Sequence, residues 1–459
     1  MKALVTGVAT VLLAGGCVTQ KSAMRTAPLP RAAITSIRPE ATAPADTPPW
    51  WSQLGDPELD AFVVQALGHN DDLRLAGERI LEARALAKSI RSGRRPHLDV
   101  HVSYLELDGD LPPSLAATDL GAQAWEALAE VSWEMDLFGG LQAEADRAQA
   151  MVVVADESES DLRLAVAAEV VATWLELAGT AEQTRIWRKQ LAVLGAQKDD
   201  AEAMLDAGIG TPVELDRAKA RLAGLSRQGP ILELALATGR KRLALLTGSP
   251  VGAALPIAPD RLPSVLPIPA NGPAARFLAR RPDLRKLERQ IKAAVSATQA
   301  AEAAFLPRFF IAGGPVSSAG EAVDLFGNDE TIWMLRPQAS WSLMKGGQRQ
   351  AELAAEESRV RQARIAYERA VREATREVAF GLAELTTRGR ELLAARSTVS
   401  ALASSTDRLE KKHRTGTVDQ FEWLAEQEKL FKAERLEVDI RTRLAEAWVR
   451  LHRAMGGGW

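Results

Sequence analysis

Residues 141–207 contain no proline, and within them Leu162, Val166, Val170, Trp174 and Leu177 recur at spacings of three and four. That spacing lays one apolar stripe along a helix. At ~1.5 Å per residue the helix would be roughly 100 Å long, well beyond the span of a globular domain, and so long a pattern implies coiled-coil packing. A second such stretch runs from about Gly347 to Arg414, with Glu352, Arg359, Arg361 and Glu368 on a solvated side.

The two stretches belong to an internal duplication. Asp72-Leu73 and Pro96 recur as Asp283-Leu284 and Pro307 at an offset of 211 residues, while Trp125, Trp133, Gly208, Leu243 and Gly248 recur as Trp333, Trp341, Gly416, Leu451 and Gly456 at an offset of 208. One three-residue length change, in a surface loop between the proline and the first tryptophan, reconciles the offsets. The expected organisation is a signal over 1–17, a Pro/Ala/Thr-rich linker over 18–46, a first repeat over 47–248, a proline-rich connector over 249–272 and a second repeat over 273–459. Each repeat reads as helix, strand, loop, strand, very long helix, turn, helix. The fold class is therefore α+β and predominantly α, built on duplicated long helical hairpins. The hairpin turns are Gly208-Ile209-Gly210-Thr211-Pro212-Val213 and Thr415-Gly416-Thr417-Val418. In each, glycine supplies the left-handed cap and threonine a cap for the next helix. An ordinary helix-to-helix turn is the simplest reading of either.

Trp333, Leu335, Pro337, Ala339, Trp341 and Leu343 alternate with Arg336, Gln338, Ser340 and Ser342, the pattern of a membrane-barrel strand. Ala127 to Leu137 and Leu98 to Tyr104 repeat it, and Arg308 to Pro315 is assigned as a strand from its duplicate. In each copy two tryptophans, Trp125 with Trp133 and Trp333 with Trp341, lie eight residues apart and on one side of the strand. Tilted in a barrel they would be about 20 Å apart, close to the two aromatic girdles of a membrane. A bilayer tolerates no open strand edge, and four strands are too few to close a barrel. Twofold assembly would give a filled barrel and threefold assembly one with a lumen; the strand count permits either.

Lys2, a short apolar stretch and Ala14-Gly15-Gly16-Cys17 form a secretory signal ending at a lipidation site. Cys17 is the single cysteine, which excludes an intrachain disulfide. After this signal no continuous apolar run reaches the ~18 residues of a spanning helix. The formal net charge of −3 gives no indication of a nucleic-acid partner. The five histidines form no metal-binding pattern, since His97 and His101 lie ~13 Å apart along a strand. No phosphate loop or nucleophile elbow is present. The expectation is no enzyme, no cofactor and no metal.

Trp50-Trp51 with Asp56-Pro57, Asn70-Asp71-Asp72-Leu73, the run from Trp133 to Gly139, Arg280-Arg281-Pro282-Asp283-Leu284 and the terminal Gly456-Gly457-Gly458-Trp459 resemble the TolC-like outer-membrane factor family. They are similar in particular to its lipoprotein branch, the NodT-type efflux outer-membrane lipoproteins. The resemblance implies a homotrimer with a twelve-strand barrel in the outer membrane, a periplasmic helical barrel and a closable tip. Its implied partners are a periplasmic adaptor and an inner-membrane pump, commonly of the resistance-nodulation-division type. On this reading Gly208, Thr211, Pro212, Val213, Gly416, Thr417 and Val418 meet the adaptor, and Asp407 and Glu410, sharing a helix face near the tip, line the aperture if that face points inward; a solvated outward face is the other reading. The alternative is a lipid-anchored periplasmic coiled-coil adaptor or structural protein, which would not need four amphipathic strands.

Overall fold

A computed structural model describes residues 49–106, 123–250, 262, 277–319, 321–326 and 331–457. The signal with Cys17, the 18–46 linker, nearly all of the proline-rich connector and the terminal Gly458-Trp459 lie outside the described residues.

The first half contains helices α1 (Pro57–His69) and α2 (Asp71–Ser92), strands β1 (His97–Glu106) and β2 (Gln123–Met135), the long helix α3 (Gly140–Asp206), and helices α4 (Pro212–Ser226) and α5 (Gly229–Leu246). In the second half follow α6 (Pro282–Ala303), β3 (Arg308–Ala319), β4 (Ile332–Ser340), the long helix α7 (Gln348–Arg414) and α8 (Gln420–Ala454). Both long helices have 67 residues, and α2 and α6 have 22 each. At ~1.5 Å per residue α3 and α7 are each about 100 Å long. Helix α3 packs on α2, α6 and α8, and α7 packs on α6 and α8, so the two halves share one helical layer.

The final helix of the first half is in two pieces, where a single helix was expected. Pro230 lies in the first turn of α5 and cannot donate to the preceding turn. At the break Gly229 passes so close to Trp187 that a Cβ would lie 2.7 Å from the ring, and the Trp187 indole donates to the Leu225 carbonyl at 3.0 Å. The duplicate of Pro230 is Val438, and α8 runs through it unbroken.

The main core gathers where the chain enters the helical layer. The Trp174 indole donates at 2.8 Å to Asp56, whose other carboxylate oxygen caps the first turn of α1. Trp448 and Trp50 flank the His452 ring at 4.0 and 5.2 Å. Burial disfavours a charge on this ring and lowers its pKa. By length and composition α3 could cross a membrane, but 67% of its most apolar window is buried inside the protein. Val166, Val170, Val171, Trp174 and Leu175 of that helix belong to the core.

The short motifs shared by the two halves hold the same joint. Asn70 caps α2 through its side-chain oxygen, and its amide donates to the Leu246 carbonyl at the end of α5, 3.1 Å away. In the second half Arg281 stands at the start of α6 and donates to the Ala454 carbonyl at the end of α8, 2.8 Å away. Gly248 and Gly456 follow these helix ends with φ of +67° and +82°. A Cβ on Gly248 would meet the His69 carbonyl oxygen at 2.4 Å, and one on Gly456 would meet the Arg280 carbonyl carbon at 3.0 Å.

Candidate functional site

The four strands form one antiparallel sheet in the order β1-β2-β3-β4. Its register aligns Leu98 with Val131, Val131 with Gly313 and Gly313 with Leu335, so alternate residues of all four strands share one face. On that face Leu98, Val100, Val102, Trp333 and Leu335 are exposed. The opposite face carries Asp99 and His101 on β1, Glu126, Glu130 and Glu134 on β2, Arg308 on β3, and Arg336 and Gln338 on β4. Such a sheet, apolar outside and charged inside, is the wall of a water-filled membrane barrel.

Two ion pairs organise the charged face. Arg336 reaches Glu130 at 3.0 Å across the intervening β3. It can do so because the β3 residue between them is small, with Ala312 facing Arg336 on one side and Ser132 on the other. Arg308 forms a fork with both carboxylate oxygens of Glu134, another pairing that the alternation pattern did not reveal.

The four predicted interface tryptophans divide into two kinds. Trp125 packs 5.0 Å from Tyr104 and beside Ala127, Ala319 and Leu325, and Trp333 is 78% exposed. Trp133 and Trp341 sit at the helical end of the sheet, where their indoles donate to the carbonyls of Arg94 and Phe305, each at 3.0 Å. Trp341 was expected inside the alternating strand that continues to Leu343, but β4 ends at Ser340. The last pair joins Arg308 to Ser340, and the next residue on β3 is Pro307, which has no N–H to continue the ladder. β3 extends beyond its expected end, to Ala319.

The long helices carry the chain away from this sheet to two hairpin turns. After α3, Gly208 adopts φ +76°, and the N–H groups of Ile209 and Gly210 close onto the Met204 carbonyl. Thr211 caps α4, accepting from the Glu214 N–H at 3.3 Å while the Glu214 carboxylate accepts from the Thr211 N–H at 2.9 Å. Ile209 and Val213 protrude from this turn, 73% and 57% exposed. At the second turn Gly416 adopts φ +71° and the Thr417 N–H closes onto the Lys412 carbonyl. Thr417 does not cap the next helix as expected. The capping position is Asp419, and the Thr417 hydroxyl instead meets that of Thr415 at 3.0 Å. The second turn is braced by His413, which stacks on Trp423 at 5.4 Å and lies 3.3 Å from the Val418 carbonyl. Asp407 and Glu410, one to two turns before it, pair with Lys411 (2.7 Å) and Arg414 of their own helix.

Among the described residues no cluster of histidine, cysteine or carboxylate side chains could hold a metal. A family model for outer membrane efflux proteins matches residues 62–249 and 274–457. Outer membrane protein OprJ of Pseudomonas aeruginosa is 29% identical over 429 residues, covering 91% of this chain and 88% of its own. A probable outer membrane lipoprotein, SilC of Salmonella typhimurium, is 26% identical over 468 residues and covers 98% of each chain. The solved structure of the outer-membrane channel OprN matches with a TM-score of 0.81 at 26% identity, covering 91% of this chain and 95% of that one. With a membrane sheet at one end, paired hairpins at the other and a family match through both halves, the chain belongs to the outer membrane efflux protein family, a family of transport channels and not of enzymes, and is the outer-membrane channel component of an efflux system.

Proposed function

We propose that three copies of the chain close one barrel of twelve strands, giving a continuous duct that passively conducts exported molecules from a periplasmic adaptor and an inner-membrane pump to the exterior. The observation that carries this reading is the sheet itself, whose outer strands β1 and β4 each present one unpaired edge. A bilayer permits neither, and three sheets joined edge to edge remove all of them while leaving a lumen. Native mass spectrometry of the detergent-solubilised protein tests it, with three chains expected; a monomer or dimer as the largest assembly would exclude the closed twelve-strand duct.

The pump is expected to be of the resistance-nodulation-division type, and Cys17 to carry the lipid and become the mature N-terminus. Cys17→Ser should lose lipid labelling while the barrel still inserts, and intact residues 1–16 on the purified wild type would exclude the assignment. The adaptor meets the turns formed by Gly208, Thr211, Pro212, Val213, Gly416, Thr417 and Val418, which lie a full helix length from the membrane. Gly208→Asp or Gly416→Asp should abolish efflux with trimer assembly intact; full complementation of a deletion strain by both would rule out this contact. Asp407 and Glu410 form the aperture, held by the pairs with Lys411 and Arg414. Asp407→Ala with Glu410→Ala should raise single-channel conductance, and an unchanged conductance would place the constriction elsewhere.

A further inference from the structure

The charge of this chain is unevenly distributed. No lysine or arginine lies between Arg95 and Arg147, and only Arg336 lies between Arg308 and Lys345. Residues 97–135 and 308–340 together hold twelve carboxylates and two guanidinium groups, a net −10 in a chain whose total is −3. Acid is therefore concentrated in these two segments of the sequence, while the remainder is net basic.

The structure shows how this charge is arranged on the lumenal side. Arg308 and Arg336, the only cations there among the described residues, are both engaged by Glu134 and Glu130. Asp99 and Glu126 share the same face, and among the described residues neither is in an ion pair. Asp99 stands directly opposite Glu130, and Glu126 opposite Ser103 and Ser318. Four carboxylates against two guanidinium groups leave this face at −2 per chain, whichever arginine serves which acid.

We infer that the membrane-spanning section of the duct is a cation-selecting filter, with Asp99 and Glu126 as the charges that set its sign. The inference rests on the reading that three chains close one barrel, since threefold repetition turns each carboxylate into a ring and brings the wall to −6. Rings of acidic side chains raise the local concentration of cations and exclude anions. The field acts over a Debye length, ~10 Å at 0.1 M salt and ~30 Å at 0.01 M, so selectivity is strongest in dilute solution. Cationic cargo gains most from such a wall and anionic cargo least.

The test is the reversal potential of the full chain in planar bilayers under a potassium chloride gradient centred near 0.01 M. The wild type should favour potassium over chloride by about fivefold or more. Asp99→Asn with Glu126→Gln brings the wall to zero and should take the ratio to about 1 with single-channel current retained. Both barrel substitutions are close in shape and lie on a water-facing surface; should the pair fail to insert, Asp99→Asn alone should lower the ratio by about half. A non-selective wild type, or a ratio that the barrel variants leave unchanged, overturns the filter. Absence of any channel from correctly folded protein refutes the barrel reading itself, a separate outcome.

Discussion

Gly208 and Gly248 adopt nearly the same left-handed backbone, φ +76° and +67°, in opposite surroundings. A Cβ on Gly208 would meet nothing within 4 Å, whereas one on Gly248 would lie 2.4 Å from the His69 carbonyl oxygen and 3.1 Å from its carbon. Gly208→Ala therefore costs only the backbone term, about 1–2 kcal/mol. Gly248→Ala adds a clash with main chain that cannot rotate aside, a further ~1–3 kcal/mol of overpacking, for a total of about 2–5 kcal/mol. Hydrogen exchange read by mass spectrometry resolves the two effects, because local opening reports local free energy. At ~1.4 kcal/mol per tenfold, exchange around residues 203–215 should accelerate about 5- to 30-fold in Gly208→Ala. Around residues 66–73 and 243–250 it should accelerate from about 30-fold to over a thousandfold in Gly248→Ala. Equal acceleration in the two variants would refute the argument, since it would mean that the α1–α5 joint yields to an added methyl as readily as an open turn does.

Arg281→Leu leaves Asp283 and Glu377 without their guanidinium and the Ala454 carbonyl without a donor. With the carboxylates partly exposed the loss should be about 1–3 kcal/mol in denaturant titration. Although burial opposes its charge, hydrogen bonds to both acids raise the pKa of Arg281, so this loss should stay constant through neutral pH. His452 is held neutral by burial, and the unfolded chain takes up this proton first as pH falls, so its contribution is complete above ~6.5 and is lost progressively below it. Melting curves of the wild type should fall between pH 7 and 5, and His452→Phe should flatten that slope. Trp341→Phe removes the indole bond to the Phe305 carbonyl, about 1 kcal/mol, and should lower the melting temperature by about 1–2 °C.

The helical frame was legible because two copies of one pattern constrain each other: α3 and α7 begin and end at positions 208 residues apart. Where the copies differ, the pattern misled. Pro230 was visible in the sequence, but its duplicate Val438 belongs to an unbroken helix, and the shared reading smoothed over the difference. The end of β4 was misjudged for another reason. Alternation records which face a residue takes and not whether a partner strand is present, so the pattern continued to Leu343 past the point where Pro307 stops the ladder. Arg336 with Glu130, 206 residues apart, lay beyond any local pattern because the contact depends on sheet order and on a small β3 residue between them. At the second turn threonine was the expected cap, yet helix α8 starts two residues later, at Gln420.

The same comparison separates what the fold needs at the joint from what each copy happened to use. Asn70 and Arg281 occupy matching positions, and their acceptors, Leu246 and Ala454, match as well. An amide and a guanidinium share only the ability to donate to a carbonyl, so the common requirement is a donor at the start of one helix satisfying an orphan carbonyl at the end of another. The amide does this while also capping α2. A guanidinium cannot accept an N–H bond, so at α6 the first turn turns to Asp283, whose carboxylate accepts from the Leu284 N–H at 2.9 Å while also gripping Arg281. Glu377 of α7 accepts from the same guanidinium from the side. Asp283 has its counterpart in Asp72 of the first copy, so what the cationic donor adds is the bond to Glu377, a tie between α6 and α7 that is absent from the Asn70 bonds of the first. It follows that Arg281→Asn should recover the bond to Ala454 yet loosen α6 from α7. The inverse change, Asn70→Arg, should remove the oxygen that accepts from the Asp72 and Leu73 N–H groups and leave the first turn of α2 to Asp72, as Asp283 serves α6.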